Sequence, residues 1–303
     1  MRRLITPASR QTTRRSSHAH LSRRHVLLGG AAALFGGSLA QADPGLRVVS
    51  IGGGITEIVY ALGAQNLLVG VDTTSTFPAA VSRLPSVGYA RLLSAEGILA
   101  LTPSLVLATA EAGPPAVLQQ LRGSGIALQI LNADHNFEGL ITNIQAVGKA
   151  IGHLDAAQSL AAKTTCEWNQ VQREVAAAEQ HPRVLFLMGF DTARMMVAGQ
   201  GTAAQAMLDY AGAHNAVRGY SGYRPLTPES LIAARPEVLL TTRQALEAGG
   251  VAGLLRQPGM AQTPAGKAQR VVTLDTMFLL GFGPRLPLAV QTLHRDLLAS
   301  LSS

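Results

Sequence analysis

The 303-residue chain has a single cysteine, Cys166, and few aromatics: one Trp, five Tyr and seven Phe. One cysteine excludes an internal disulfide, a C-x-x-C redox pair and a cysteine-rich zinc site. Neither H-E-x-x-H nor G-x-S-x-G occurs, so a zinc protease or a serine-elbow hydrolase is not indicated. His135, His153, His181, His214 and His294 show no metal-ligand spacing. Acid is missing from the first 42 residues, which hold seven Arg and no Asp or Glu, leaving 18 basic against 18 acidic residues in the rest. The net charge of +7 therefore belongs to the leader. A neutral body argues against a nucleic-acid partner, which needs its basic surface on the folded domain. With 47% hydrophobic and 14% charged residues the composition is that of a folded chain, one large domain or two ordinary ones.

The leader reads as an export signal over residues 1–42. Ser22-Arg23-Arg24-His25-Val26-Leu27-Leu28 resembles the twin-arginine pattern, with Val26 and Leu28 departing from it. An apolar run from Val26 to Ala40 follows, shorter than the ~20 residues of a comfortable membrane span. Ala40-Gln41-Ala42 supplies an A-x-A cleavage site. No Cys follows the run, so the mature chain is expected to be free in the periplasm, without a lipid anchor. No later segment is long and apolar enough to span a membrane.

In the remainder, β-branched runs alternate with helical stripes. Arg47-Val48-Val49-Ser50-Ile51 predicts a strand that stops at Gly52-Gly53-Gly54; a helix with Ile58, Val59 and Leu62 follows. Strands are predicted at 67–71, 105–108 and 127–131, and helices at 94–101 and 115–122. Such alternation means βαβ units and a mostly parallel sheet. From Phe137 the pattern turns helical, and a second run without Pro or Gly extends from about Asp155 to Gln180. After His181-Pro182 the first theme returns: Thr227 to Leu240 echoes Leu93 to Leu107, each a short helix with an early Glu, a Pro stop and a strand. The expected architecture is α/β, with two Rossmann-like lobes of mostly parallel sheet joined by one long rigid helix. The lobes are expected at 43–150 and 182–303, the connector at 151–181, and the ligand cleft between the lobes.

Five strings carry a family resemblance: Ser50 to Ile58, Val87 to Gly97, Val197 to Ala204, Gly222 to Leu226, and Leu279 to Arg285. With this layout the chain resembles the helix-linked substrate-binding proteins of ABC importers for metal chelates, and within them the periplasmic haem-binding proteins. The string Gly88-Tyr89-Ala90-Arg91-Leu92-Leu93-Ser94-Ala95-Glu96-Gly97 is the more specific mark; the repeated Glu and Pro mark the wider group. The resemblance implies a carrier, not an enzyme, that delivers ferric haem to a dimeric permease with its cytoplasmic ATPase. A monomer is expected. Cobalamin or a ferric siderophore is the alternative cargo.

By the same resemblance Tyr89 is the axial iron ligand. Phenolate is a hard oxygen donor suited to ferric iron, although the free phenol has a pKa of about 10 and ionises only when a cation compensates. Arg91 adds positive charge near the phenolate or the haem propionates. On residue pattern alone Tyr89 reads first as a loop tyrosine and Arg91 as a solvated cation. Some family members carry a second-lobe His for another haem. No His stands near Leu187-Met188-Gly189-Phe190, so one haem is expected. Met188, Met195 and Met196 lie nearby, as ligands or as packing. Tyr220 and Tyr223 can stack on a macrocycle and Arg224 can hold a propionate; a surface turn is the alternative. Glu57 at the sixth position breaks G-x-G-x-x-G, but the glycine turn can still receive an anion. Glu96 and Glu229 are read as permease anchors, or as first-turn helix stabilisers. Cys166 is expected to be buried.

Overall fold

A computed structural model describes residues 45–189, 195–247 and 249–302. The twin-arginine string, the apolar run and the cleavage site lie outside the described residues. Among the described residues no helix is long and apolar enough to cross a membrane.

The first half runs β1 (Val48–Ile51), α1 (Gly53–Ala61), β2 (Leu68–Val71), α2 (Ala95–Leu99), β3 (Leu105–Thr109), α3 (Pro115–Gly123), β4 (Ala127–Leu131) and α4 (Phe137–Ala150). Its strands form a four-stranded sheet in the order β2-β1-β3-β4, with every pairing parallel. After α5 (Leu154–Ala176) come β5 (Arg183–Gly189), β6 (Met195–Ala198), α6 (Ala203–Tyr210), β7 (His214–Asn215), β8 (Tyr223–Leu226), α7 (Pro228–Ala234) and β9 (Val238–Thr242). The chain ends with α8 (Gly250–Leu255), α9 (Pro264–Lys267), β10 (Val271–Leu274), α10 (Thr276–Leu280) and α11 (Leu286–Leu301). The second sheet has six strands, β10-β9-β5-β6-β8 with β7 beside β5. Here β9 pairs in parallel with both β5 and β10, while β6 runs antiparallel to β5 and β8. The sheets are mostly parallel, as expected, and the antiparallel edge is the exception. The short β5–β6 connection forces it, because a parallel pair needs a crossover of a dozen or more residues.

Helix α5 has 23 residues, so it spans about 35 Å. Its buried positions, Ala157, Ala161, Thr164, Trp168, Val171 and Val175, recur at helical spacing along one stripe. Cys166 falls off that stripe and is exposed, which corrects the burial expected for it. Trp168 stacks on Phe137 of α4, centroids 4.7 Å apart, and meets Tyr210 of α6 edge-on at 4.6 Å. The Phe137 N–H donates to the Tyr210 hydroxyl at 3.1 Å.

Apolar burial falls into three groups. One large core takes residues from both sheets, among them Leu107 and Leu240, together with α4, α5 and α11. Two smaller cores cover the outer faces, one around Ile98 and Leu121, the other around Leu231 and Leu254. Each fully buried Leu, Ile or Val stabilises by about 1.5–3 kcal/mol relative to exposure. The shared core therefore welds the two sheets together.

Candidate functional site

A cleft of about 590 Å³ opens between the sheets, within the range of small-molecule sites. One wall comes from the glycine turn before α1, from Tyr89 to Arg91, from Glu111 and from Asn132 to His135. The facing wall brings Met188, Tyr223, Met277, Leu280 and Phe282.

Tyr89 stands in the loop between β2 and α2. That loop is tied on both sides: Thr73 N–H donates to the Gly88 carbonyl, Gly113 N–H to the Ala90 carbonyl and Leu93 N–H to the Gly113 carbonyl, all at 2.9 Å. Gly88 takes φ 90°, a backbone region that favours glycine. Tyr89 remains 43% exposed, and among the described residues its hydroxyl makes no hydrogen bond. A phenol held by its backbone with a free oxygen is suited to coordinate an incoming metal.

Arg91 is not free. Its guanidinium pairs with Glu111, which rides on the same tied loops. That hydrogen bond and the charge of Glu111 raise the guanidinium above its ordinary range, against the opposing effect of burial. Tyr223 reaches the same point from the other lobe. Burial pushes its phenol above the ordinary tyrosine range, opposed by the Ala204 N–H and the Thr202 side chain at the start of α6. Tyr223 therefore stays a neutral phenol in the cleft wall.

Strand alternation puts Arg224 on the opposite face of β8. It is exposed, lies over the Tyr220 ring at 5.5 Å, and does not line the cleft. Tyr220 packs on the outer core, away from the cleft. Among the methionines Met188 lines the cleft, Met195 is buried in the outer core and Met196 does not line the cleft.

The glycine turn already holds an anion, and it is internal. Buried Asp72 accepts from Gly52 N–H at 2.9 Å, from Thr74 N–H at 3.1 Å and from the Ser75 hydroxyl at 2.9 Å. Gly53 N–H donates to the Thr74 hydroxyl at 2.9 Å. The turn is thus satisfied from within and packs closely, because a Cβ on Gly54 would run into the Gly281 carbonyl.

Glu96 and Glu229 are exposed in the first turns of α2 and α7, behind N-caps Ser94 and Thr227. The Glu229 carboxyl sits below its ordinary range through its own N–H and Thr227. The repeat reaches the backbone: Thr102 and Arg235, each before a Pro, take φ 45° and 47°.

Sequence reasoning assigned no role to Glu111, to the Asn132–Asp134–Asn143 hydrogen-bonded shelf, or to His135, whose ring meets Phe282 at 5.3 Å. It also missed the ion pair between Glu57 and Arg285. A signal was present, since these two opposite charges sit in two of the resembling strings.

Two lobes on a shared core with a mixed polar and apolar cleft between them define a ligand-binding protein. The chain belongs to the periplasmic binding protein family, which it matches over residues 48–277. It is similar to the periplasmic heme-binding protein BhuT, solved in complex with two hemes: 48% identity, TM-score 0.82, covering 84% of this chain and 98% of that one. It is similar to the heme-binding protein RhuT from Roseiflexus sp. RS-1, with 40% identity, TM-score 0.82, and 84% and 99% coverage. A vitamin B12-binding protein of Pectobacterium carotovorum is 26% identical over 253 residues, 84% of this chain and 88% of that protein. Family and relatives agree on an extracytoplasmic setting.

Proposed function

We propose that this chain is an extracytoplasmic carrier that captures ferric haem and hands it to an ABC-type import permease. The observation that carries the reading is Tyr89: a half-exposed phenol with a free oxygen, fixed by a tied loop in the cleft, beside a charged Arg91. The facing wall supplies what a flat macrocycle needs, apolar Leu280, Phe282 and Met188 with the phenol face of Tyr223. Haem is cargo here, and the chain does no chemistry on it. The heme-binding relatives share far more identity with this chain than the vitamin B12-binding one, which supports haem over cobalamin.

In this reading the leader is removed near Ala42, and the mature protein is a monomer in the periplasm. Glu96 and Glu229, one on each lobe, meet basic residues of the two permease subunits. Two equivalent acids fit a partner made of two similar halves, and charge complementarity sets orientation.

An absorption titration of the mature protein with haemin tests the reading. A tyrosinate-type spectrum saturating at one equivalent is expected, because no second-lobe histidine offers a further ligand. A break at two equivalents, as in the BhuT complex with two hemes, overturns the single-haem assignment. Binding of cyanocobalamin without haemin binding overturns the haem reading altogether.

A further inference from the structure

Behind the cleft walls an ion pair joins the two lobes. Arg285, between α10 and α11, grips Glu57 of α1 through two hydrogen bonds, one from Nε to Oε2 at 2.9 Å and one from Nη2 to Oε1. The partners are 228 positions apart in sequence. The Glu57 side chain is 5% exposed and that of Arg285 24%. The guanidinium lies over the Phe77 ring at 3.7 Å and stands 5.1 Å from Phe278, so an aromatic of each lobe covers it. Burial pushes the Glu57 carboxyl up and Arg285 draws it back. A bidentate fork fixes distance and angle together, which a point charge does not.

The same two segments form the cleft walls. Glu57 lies three residues after Gly54, which lines the cleft, and Arg285 three residues after Phe282, which lines it from the other lobe. Between them the backbones are in direct contact: a Cβ on Gly54 would meet the Gly281 carbonyl, and one on Gly283 would lie 3.0 Å from the Glu57 carboxylate. Separating the walls at this point means breaking both forked hydrogen bonds and exposing a buried carboxylate.

We infer that Glu57 and Arg285 are a positioning pair that fixes the width of the cleft. The pair thereby selects a flat macrocycle over a corrinoid, whose axial groups on both faces need a wider gap. This inference rests on the carrier reading above.

The test uses the mature chain with the exposed Cys166 changed to Ser and spin labels at Arg122→Cys and Lys267→Cys, both exposed and one on each lobe. Pulsed electron resonance then measures the distance between lobes, and titrations give the affinities for haemin and cyanocobalamin. In the parent, one narrow distance distribution is expected, unchanged by haemin. Glu57→Gln and the milder Arg285→Lys should broaden it, and should shrink the preference for haemin over cyanocobalamin by about tenfold or more. Circular dichroism confirms that the variants fold, and Arg285→Lys, which keeps the cation, still tests the pair if Glu57→Gln does not fold. A parent distribution that shifts on adding haemin overturns the inference. So does a folded variant with the parent's distribution, or one that broadens with the ligand preference intact. Failure of the parent to bind haemin would defeat the carrier reading, while the distances without ligand still judge the pair.

Discussion

Helix α2 with strand β3, and helix α7 with strand β9, are two copies of one unit. Each has a hydroxyl N-cap, a Glu in the first turn, a residue of positive φ before a Pro, and a buried strand. On their cleft sides the lobes part company. The first presents Tyr89, Arg91, Glu111, Asp134 and His135; the second presents a hydrogen-bonded phenol, two thioethers, Leu280 and Phe282. On the proposed docking role, the outer surface would meet a pseudo-symmetric partner that demands likeness. Inside, one wall offers donors and charge while the other offers cover. The halves are alike in backbone on their outer sides and unlike in chemistry on their cleft sides.

The strongest challenge to treating the halves as separate is Trp168→Ala. It removes an indole that touches Phe137 and Tyr210 at once, and large-to-small core changes of this kind cost about 3–5 kcal/mol. Calorimetry should show a single transition at lower temperature; two resolved transitions would mean that the lobes fold independently. Next comes Glu96→Lys with Glu229→Lys. Like charges facing each other across an interface cost several kcal/mol, so uptake into vesicles bearing the permease should collapse while haemin affinity holds. A single reversal should be milder, and normal uptake by the double variant would remove the docking role.

Within the cleft, Tyr89→Ala should abolish the tyrosinate spectrum and weaken haemin binding well beyond tenfold, more than about 1.4 kcal/mol. An unchanged spectrum would sink the ligand assignment. The smallest effect is expected of Tyr223→Phe, which loses one hydrogen-bonding hydroxyl, about 0.5–1.5 kcal/mol. Should Tyr223→Phe cost more affinity than Tyr89→Ala, the donor and cover walls would have to be exchanged.

The fold was legible because its signals are local and periodic. The glycine stop after β1, the apolar stripe from Phe137 and the unbroken run that became α5 can be read within a dozen residues. The β6–β8 edge was not legible, since short apolar runs do not reveal whether their partner is parallel. Tyr89 was singled out through a string, and the structure places it in the cleft wall. Arg224 was not resolvable by composition: the two-residue period of a strand decides its side, and the start of β8 sets the phase. The Asp72 carboxylate that fills the glycine turn lies 20 positions from Gly52, beyond any local pattern. Glu111 and the Glu57–Arg285 pair were missed for the same reason, as they become neighbours only once the sheets are assembled.

The sandwich of Trp168 between Phe137 and Tyr210 has an optical consequence. It is the chain's one tryptophan, so its emission comes from a single place, the junction of the two halves. Haem absorbs where indole emits, so cargo in the cleft should dim that light by energy transfer. Loosening of the junction should instead shift its colour toward that of a hydrated ring. Intensity and wavelength thus report separately on loading and on integrity, and the unlabelled protein carries its own two-channel gauge.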